Sequence, residues 1–145
     1  MTHALTAAQL HDTLPPLLTA AEVAELLDVS ERTLEAWRGS FRPNLGPDYI
    51  FLGPAVLYWR SSVISHVCDI DTGRELDIAE LLEALPEEAG DTEVAAALGV
   101  SRRTLESWRR KHRDRKGPAY SIVGRRVTYR RSDIVDFLNE TTFTK

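Results

Sequence analysis

Arginine dominates two short segments in the second half of the chain. The first runs from Ser101 to Lys111, where Leu105 and Trp108 are spaced i, i+3, as on the buried side of a helix. The polar residues that would cover the other side are Arg102, Arg103, Glu106, Arg109, Arg110 and Arg113. Two arginines in a first helical turn are unfavourable for an isolated helix, because a helix N-terminus favours anions. We therefore expect an external negative charge at this end of the helix.

The second arginine-rich segment, residues 125–131, alternates as a strand does. Val127 and Tyr129 fall on one face, and the polar residues of the other face are Arg126, Thr128 and Arg130. An apolar inner face and a cationic outer face suit a hairpin that lies along a phosphate backbone or enters a minor groove. Together with Arg125, this outer face predicts a second contact surface for nucleic acid.

Arginine and glutamate at a helix start can read bases. Arginine can bind guanine with two hydrogen bonds, and glutamate can accept one from cytosine N4. In a helix-turn-helix the first residues of the second helix face base edges in the major groove. The sequence therefore predicts base contacts for Arg102, Arg103 and Glu106, and mainly phosphate contacts for Arg110, Lys111 and Arg113.

These segments belong to a block of residues that occurs twice, at a constant offset of 71. Glu22-Val23-Ala24 recurs as Glu93-Val94-Ala95 and Trp37-Arg38 recurs as Trp108-Arg109. Further matched pairs are Gly46-Pro47 with Gly117-Pro118, Gly53 with Gly124, and Tyr58 with Tyr129. A repeat of this length predicts two similar structural units of about 70 residues.

Each copy has the signals of a helix-turn-helix followed by a two-stranded wing and a closing helix. A short leading helix stopped by proline comes first, and a glycine marks the turn of the wing. The predicted N-cap residues are Thr19, Ser30, Ser101, Ser61 and Ser132. We therefore expect a mainly α fold with small β-hairpin wings, built as two tandem winged helix-turn-helix domains, each preceded by a short helix. The predicted boundaries are 1–70 for the first unit, 71–90 for an acidic connector helix and 91–145 for the second unit.

Charge is distributed unevenly along the 145 residues, whose net charge is −4. Residues 22–67 hold four basic and six acidic side chains, whereas residues 93–138 hold twelve basic and five acidic ones. Between them, residues 68–92 hold one basic and nine acidic side chains. We expect the connector's acidic residues, Asp77 and Glu80 among them, to form a solvated helix face or a surface for a partner. Because a binding surface depends on local charge, the basic second copy remains compatible with DNA.

Several function classes lack support in the sequence. No apolar run approaches the roughly 20 residues of a membrane span, and the N-terminus has no signal-peptide pattern. A single cysteine, Cys68, fits a reducing cytoplasm, and the histidines show no metal-ligand spacing. We find no nucleophile–base arrangement and no phosphate-cradling glycine loop. We therefore expect no enzyme activity, no cofactor, no metal and no membrane partner.

The motif Glu-Val-Ala-x-x-Leu-Gly-Val-Ser-x-x-Thr-Leu-x-x-Trp-Arg, continuing to Gly-Arg-Arg-Val-x-Tyr-Arg-Arg-Ser-Asp-Ile, spans residues 93–134. It resembles the excisionase-type, MerR-like winged helix-turn-helix family, whose members usually carry one such unit. The resemblance implies a small phage or mobile-element protein of a bacterial cell or infected host. It also implies a second helix in the major groove and a wing on the flanking minor groove. The residues so implicated are Arg102, Arg103, Arg109, Arg110, Arg125, Arg126 and Arg130.

The first copy departs from this pattern at its charged positions. Its second helix offers Glu31, Arg32, Glu35 and Arg38 and is nearly neutral. In its wing, Pro54, Ala55 and Trp59 stand where the second copy has Arg125, Arg126 and Arg130. We expect weaker DNA contacts from Arg32 and Arg38, and an apolar wing that suits a protein interface, with an integrase or a second copy of the chain as partner.

The function favoured by the sequence is sequence-specific binding of double-stranded DNA, as an excisionase (a recombination directionality factor) or a transcriptional regulator. One alternative is a phage DNA-packaging adaptor resembling a small terminase subunit, although such proteins usually carry further oligomerisation and docking segments. The other is a protein–protein interaction module, which the strongly basic second copy disfavours.

Overall fold

A computed structural model describes residues 6–39, 45–70, 72–110 and 117–144. The chain divides into two compact units. Among the described residues, the first unit comprises those up to Phe51, Ala55–Glu80 and the residues from Thr142 onward. The second unit comprises Leu52–Pro54 and Leu81–Thr141. Both units combine short helices with a small antiparallel sheet, as the sequence predicts.

The first half of the chain forms five helices and three strands among its described residues. In chain order these are α1 Ala7–Thr13, β1 Leu17–Thr19, α2 Ala20–Leu27, α3 Glu31–Trp37, β2 Tyr49–Leu52, β3 Ala55–Trp59, α4 Arg60–Cys68 and α5 Arg74–Leu81. The sheet has the order β1-β3-β2, with Leu18 opposite Tyr58. The buried core is made by Leu18, Val23, Ala24, Leu34, Tyr49, Tyr58 and Val63. Helices α2 and α3 thus pack with the sheet and α4 around one apolar centre.

The remaining elements form the body of the second unit. They are β4 Glu88–Ala89, α6 Asp91–Leu98, α7 Arg102–Arg110, β5 Ser121–Val123, β6 Arg126–Arg130 and α8 Arg131–Glu140. The sheet has the order β4-β6-β5. Helices α2 and α6, and likewise strands β3 and β6, begin and end 71 residues apart.

The acidic stretch predicted as a connector is helical over only part of its length. Helix α5 ends at Leu81, and Glu88–Ala89 forms a strand. Pro86 lies between them and cannot continue a helix, because it lacks a backbone N–H and restricts the residue before it.

Side-chain caps begin the helices of both helix-turn-helix segments. Thr19 and Glu22 form the predicted capping box at the start of α2. Ser30 and Ser101 each accept a hydrogen bond from the backbone N–H three residues on, both at 3.1 Å. These caps satisfy N–H groups that would otherwise lack partners, which fixes where α3 and α7 begin.

The predicted caps at Ser61 and Ser132 are wrong. Helices α4 and α8 begin at Arg60 and Arg131, directly after β3 and β6, without a side-chain cap. The serines therefore lie inside the first turn. In α4 the N–H of Ser61 donates to Oδ2 of Asp77 at 2.8 Å, so a carboxylate from α5 takes the place of the cap.

A buried ion cluster joins α4 to α5 in the first unit. The fully buried Arg60 donates from Nε to Oδ1 of Asp77 at 3.0 Å and from Nη2 to Oε2 of Glu80 at 2.5 Å. Its Nη1 donates to the carbonyl oxygens of His11 and Leu14. The arginine therefore satisfies most of its donors inside the protein, as a buried charge must.

This cluster corrects the expectation for the acidic connector. Asp77 is fully buried rather than solvated, although Glu80 keeps about half of its side chain exposed. Burial disfavours the charged form of Arg60, but the hydrogen bonds and charges of Glu80 and Asp77 outweigh it and raise the pKa of Arg60. The hydrogen bond from Arg60 lowers the pKa of Glu80.

Asp77→Ala should destabilise the first unit by about 3–5 kcal/mol, because it leaves Arg60 buried without the one of its two counter-charges that is itself fully buried. The free energy of unfolding from urea titration measures this loss. Glu75→Ala on the exposed side of the same helix is the matched control and should change stability by at most about 0.5 kcal/mol. Equal effects of the two substitutions would contradict the structural role of the cluster.

Glu80 should make stability depend on pH in the acid range. Because its pKa is lowered on folding, its contribution is complete above its ordinary pKa of 4.5 and is lost as the pH falls through the lower folded value. The difference in unfolding free energy between the wild type and Glu80→Gln should therefore be largest near neutral pH and narrow below pH 4.5. A free-energy difference that becomes larger as the pH falls would contradict this prediction.

Candidate nucleic-acid interface

The helix-turn-helix of the second unit consists of α6, a tight turn and α7. Gly99 ends α6 with φ +69°, a left-handed conformation that favours glycine, and its N–H bonds back into the helix. Val100 then donates to the carbonyl of Ala95 at 3.0 Å, and Leu105 is buried. The turn and the buried leucine fix which side of α7 faces outward.

The outward side of α7 carries several of the predicted base- and phosphate-contacting residues. Arg102 and Arg103 in the first turn and Arg110 at the last residue are exposed, whereas Glu106 is half-buried. Lys111 and Arg113 lie outside the described residues. The described part of the helix therefore presents two cations at its N-terminal end and one at its C-terminal end.

The second hairpin, Ser121–Arg130, presents three further cations. Val123 lies opposite Arg126, with Gly124 at φ +65° and Arg125 in the turn. Arg125, Arg126 and Arg130 are exposed, and Tyr129 is buried. The hydroxyl of Thr128 is 3.5 Å from the carbonyl oxygen of Ser121 within the hairpin. The burial pattern matches the predicted alternation of an inner apolar face and an outer cationic face.

Arg109 occupies a different environment from its neighbours. Its guanidinium binds both carboxylate oxygens of Asp91, at 2.6 and 3.1 Å, and donates to the hydroxyl of Tyr129 at 2.7 Å. Burial opposes the charge, but these hydrogen bonds outweigh it and raise the pKa of Arg109. Burial also raises the pKa of Tyr129, against the opposing hydrogen bond from Arg109. These contacts hold α7 against α6 and β6, and the DNA contact of Arg109 stays a prediction.

The first unit has the same arginine–tyrosine pair, with Ala20 at the position equivalent to Asp91. Nη1 of Arg38 donates to the hydroxyl of Tyr58, and the guanidinium carbon lies 5.8 Å from the ring centres of Tyr58 and Tyr49. Arg38 is therefore engaged inside its own unit. Arg32 is exposed and remains the cation of α3 that can reach an external anion.

The tryptophans of α3 and α7 are packed within the protein, as their spacing with buried leucines predicts. Each of them lies against a glycine. A Cβ atom on Gly46 would lie 2.8 Å from Cε3 of Trp37, and one on Gly117 would lie 2.7 Å from Cε3 of Trp108. The Trp108 ring also lies 5.6 Å from the Phe137 ring, centre to centre. These contacts support packing rather than stacking on exposed bases.

The first hairpin, Tyr49–Trp59, exposes only part of the apolar surface that the sequence predicts. Pro54 and Ala55 are exposed, but Trp59 is fully buried and donates from Nε1 to Oγ1 of Thr142 at 2.8 Å. Tyr49 pairs with Phe143 through two backbone hydrogen bonds and a stacked ring contact at 4.8 Å. A C-terminal segment thus completes the first unit, and Trp59 belongs to its interior rather than to a surface for partners.

The described residues contain neither a membrane-spanning helix nor a metal-binding cluster. No helix among them is long and apolar enough to cross a membrane. No group of three or more histidine, cysteine or acidic residues in the described ranges could hold a metal ion.

Residues 92–142 match the family model described as "Helix-turn-helix domain". The match covers α7, the second hairpin and α8, and it supports a DNA-binding helix-turn-helix in this part of the chain. Comparisons with curated proteins and with solved structures gave no match.

Arg109→Gln should destabilise the second unit by about 2–4 kcal/mol, because it leaves the mostly buried Asp91 without its counter-charge. Arg110→Gln removes the same charge one residue on, at an exposed position, and should leave stability within about 0.5 kcal/mol of the wild type. Thermal unfolding and DNA affinity should both be measured. Weaker DNA binding by Arg109→Gln with unchanged stability would instead support a direct DNA contact for Arg109.

Proposed function

We propose that this protein binds double-stranded DNA sequence-specifically through its second unit. The observation that carries this proposal is the set of exposed guanidinium groups on α7 and the second hairpin, within a region that matches a helix-turn-helix model. Its action requires no turnover, and occupancy of a site would bend DNA or would exclude or recruit another protein. Within this class, the resemblance to excisionase-type proteins favours a phage or mobile-element excisionase or transcriptional regulator in the cytoplasm.

The proposed mode of binding follows from the positions of the cations. Arg102 and Arg103 begin α7, the end of a recognition helix that reads base edges in the major groove. Arg125, Arg126 and Arg130 would follow the phosphates or the minor groove beside it. Arg109 would contribute indirectly, since its ion pair with Asp91 joins α7 to α6 and its hydrogen bond to Tyr129 joins α7 to the strand that carries Arg130.

We further propose that the two units are copies of one winged helix-turn-helix, with the first specialised away from strong DNA binding. The equal spacing of their elements supports the duplication. Helix α3 of the first unit carries Glu31, Arg32 and Glu35, all exposed, so the net charge of its surface is close to zero. The first unit would instead add weak contacts to DNA or to a partner such as an integrase or a second copy of the chain.

Affinity for duplex DNA should fall steeply with salt, with a log–log slope of about −0.9 for each phosphate neutralised. Arg110→Gln should reduce the magnitude of that slope by about 1 on every duplex tested, because this residue is proposed to contact a phosphate. Fluorescence anisotropy between 50 and about 300 mM salt measures both quantities. A wild-type slope near zero would contradict DNA binding as the function.

Arg103→Ala and Arg32→Ala remove arginines from equivalent places in α7 and α3, and both positions are exposed. Loss of a base contact by Arg103→Ala should cost about 1–3 kcal/mol and relax sequence preference at one base pair. Arg32→Ala should change the affinity less than threefold. Selection of bound duplexes from a random library supplies the target, and equal losses in the two variants would refute the proposed asymmetry.

A further inference from the structure

The second unit has an open cleft at the start of α8, which we name the α8 cleft. It has a volume of about 790 Å³ and is lined by Glu87, Glu88, Arg130, Arg131, Ser132 and Val135. Arg131 and Val135 are half-buried and Ser132 is exposed. In the described part of the chain, no carboxylate or carbonyl oxygen accepts a hydrogen bond from the Arg131 side chain.

The equivalent place in the first unit is occupied by a carboxylate. There, 71 residues earlier, Arg60 and Ser61 begin α4, and the carboxylate of Asp77 takes hydrogen bonds from both. Glu80, one turn further along α5, binds the same guanidinium. In the first unit, an arginine followed by a serine at the start of a helix thus binds a carboxylate.

The main chain is arranged alike at both places. The N–H of Arg60 donates to the carbonyl of Pro16 at 3.0 Å, and the N–H of Arg131 donates to the carbonyl of Glu87 at 2.8 Å. Pro16 and Glu87 are themselves 71 residues apart. The start of α8 therefore has the backbone geometry of the α4 site, but an acidic helix covers only α4 among the described residues.

We infer that the α8 cleft binds an acidic amphipathic helix of a partner protein. An aspartate of that helix would lie against the Arg131 guanidinium and the N–H of Ser132, with a second carboxylate three residues on and an apolar residue against Val135. The cleft is also lined by Glu87 and Glu88. These carboxylates would pair with a cation on the bound helix, and α5 likewise carries a cation, Arg74. Two carboxylates disfavour the continuous negative charge of a DNA backbone, so the observations favour a protein helix.

A second copy of this chain is a poor occupant. Its Asp77 is already buried against its own Arg60. The positions of α1 equivalent to Asp77 and Glu80 are Thr6 and Gln9, which carry no charge and form the capping box of their own helix. The inference rests on the proposed equivalence of the two units and is independent of DNA binding.

A peptide with the sequence of residues 72–84 is a suitable probe, because α5 is the helix that fills the equivalent site. A hydrocarbon staple between positions 75 and 79, which are exposed in α5, would offset the poor helicity of so short a peptide. The site on α4 should not compete for the peptide, since its own α5 is tethered at high effective concentration. Binding to the full chain is measured by NMR chemical-shift mapping, with expected shifts at Arg131, Ser132 and Val135.

Arg131→Gln should weaken peptide binding at least tenfold, and so should the substitutions Asp77→Asn and Glu80→Gln in the peptide. Arg103→Gln, which removes the same charge from α7, should change peptide binding less than twofold. Affinity of Arg131→Gln for duplex DNA should stay within threefold of the wild type. Thermal unfolding of both variants verifies that they remain folded.

Three outcomes would overturn the inference. The first is no peptide binding at 1 mM, and the second is equal weakening by Arg131→Gln and Arg103→Gln, which would reflect only the general field of the basic unit. The third is displacement of the peptide by duplex together with a tenfold loss of DNA affinity in Arg131→Gln, which would make the cleft a phosphate site. Loss of the proposed DNA function alone would leave the peptide result unaffected, so the two failures are distinguishable.

Discussion

The ion pair between Arg109 and Asp91, extended to the hydroxyl of Tyr129, fixes the candidate interface in the second unit. It joins the start of α6, the last turn of α7 and the middle of the hairpin strand β6. A helix and a hairpin that bind DNA as one surface bind more tightly if their relative position is set before binding, because ordering them on binding costs free energy. A charge-assisted, two-pronged hydrogen bond is well suited to this, since it restricts orientation as well as distance.

Comparison of the two units shows which contacts they share and where their exposed charges differ. The pairs Arg38–Tyr58 and Arg109–Tyr129 are the same in both units and hydrogen-bonded in both. By contrast, the exposed cations Arg125 and Arg126 of the second hairpin are replaced by Pro54 and Ala55 in the first. The shared arginine–tyrosine pairs therefore have a structural role, and the two units differ in the charge of their hairpin turns. The sequence repeat already carried a signal for a structural role of Arg109, since this arginine recurs as Arg38 in a segment that has few other cations.

The sequence predicted local features of the fold well and long-range partners poorly. The caps at Thr19, Ser30 and Ser101 depend on residues three positions apart and were predicted correctly, whereas those at Ser61 and Ser132 were wrong because the preceding strands run directly into their helices. Arg60 and Asp77 are 17 residues apart, and only the packing of α5 on α4 brings them together. A helical period placed Asp77 off the apolar stripe and therefore in solvent, because period alone does not distinguish a solvated charge from a buried one with a partner. The hydrogen bond between Trp59 and Thr142 also escaped prediction, because only the packing of the fold brings these two residues together.

Two aspartates of this protein are withdrawn from solvent by arginine partners. Asp77 is removed from solvent by Arg60, and Asp91 is mostly removed by Arg109, so neither leaves a full negative charge at the surface of its unit. The arginines that pair with them are neutralised in turn, so the field around the second unit comes mainly from its exposed cations on α7 and the second hairpin. Local field rather than net charge governs association with a polyanion. A chain with net charge −4 can therefore present a cationic surface, because the acidic and basic residues that matter are held on different elements.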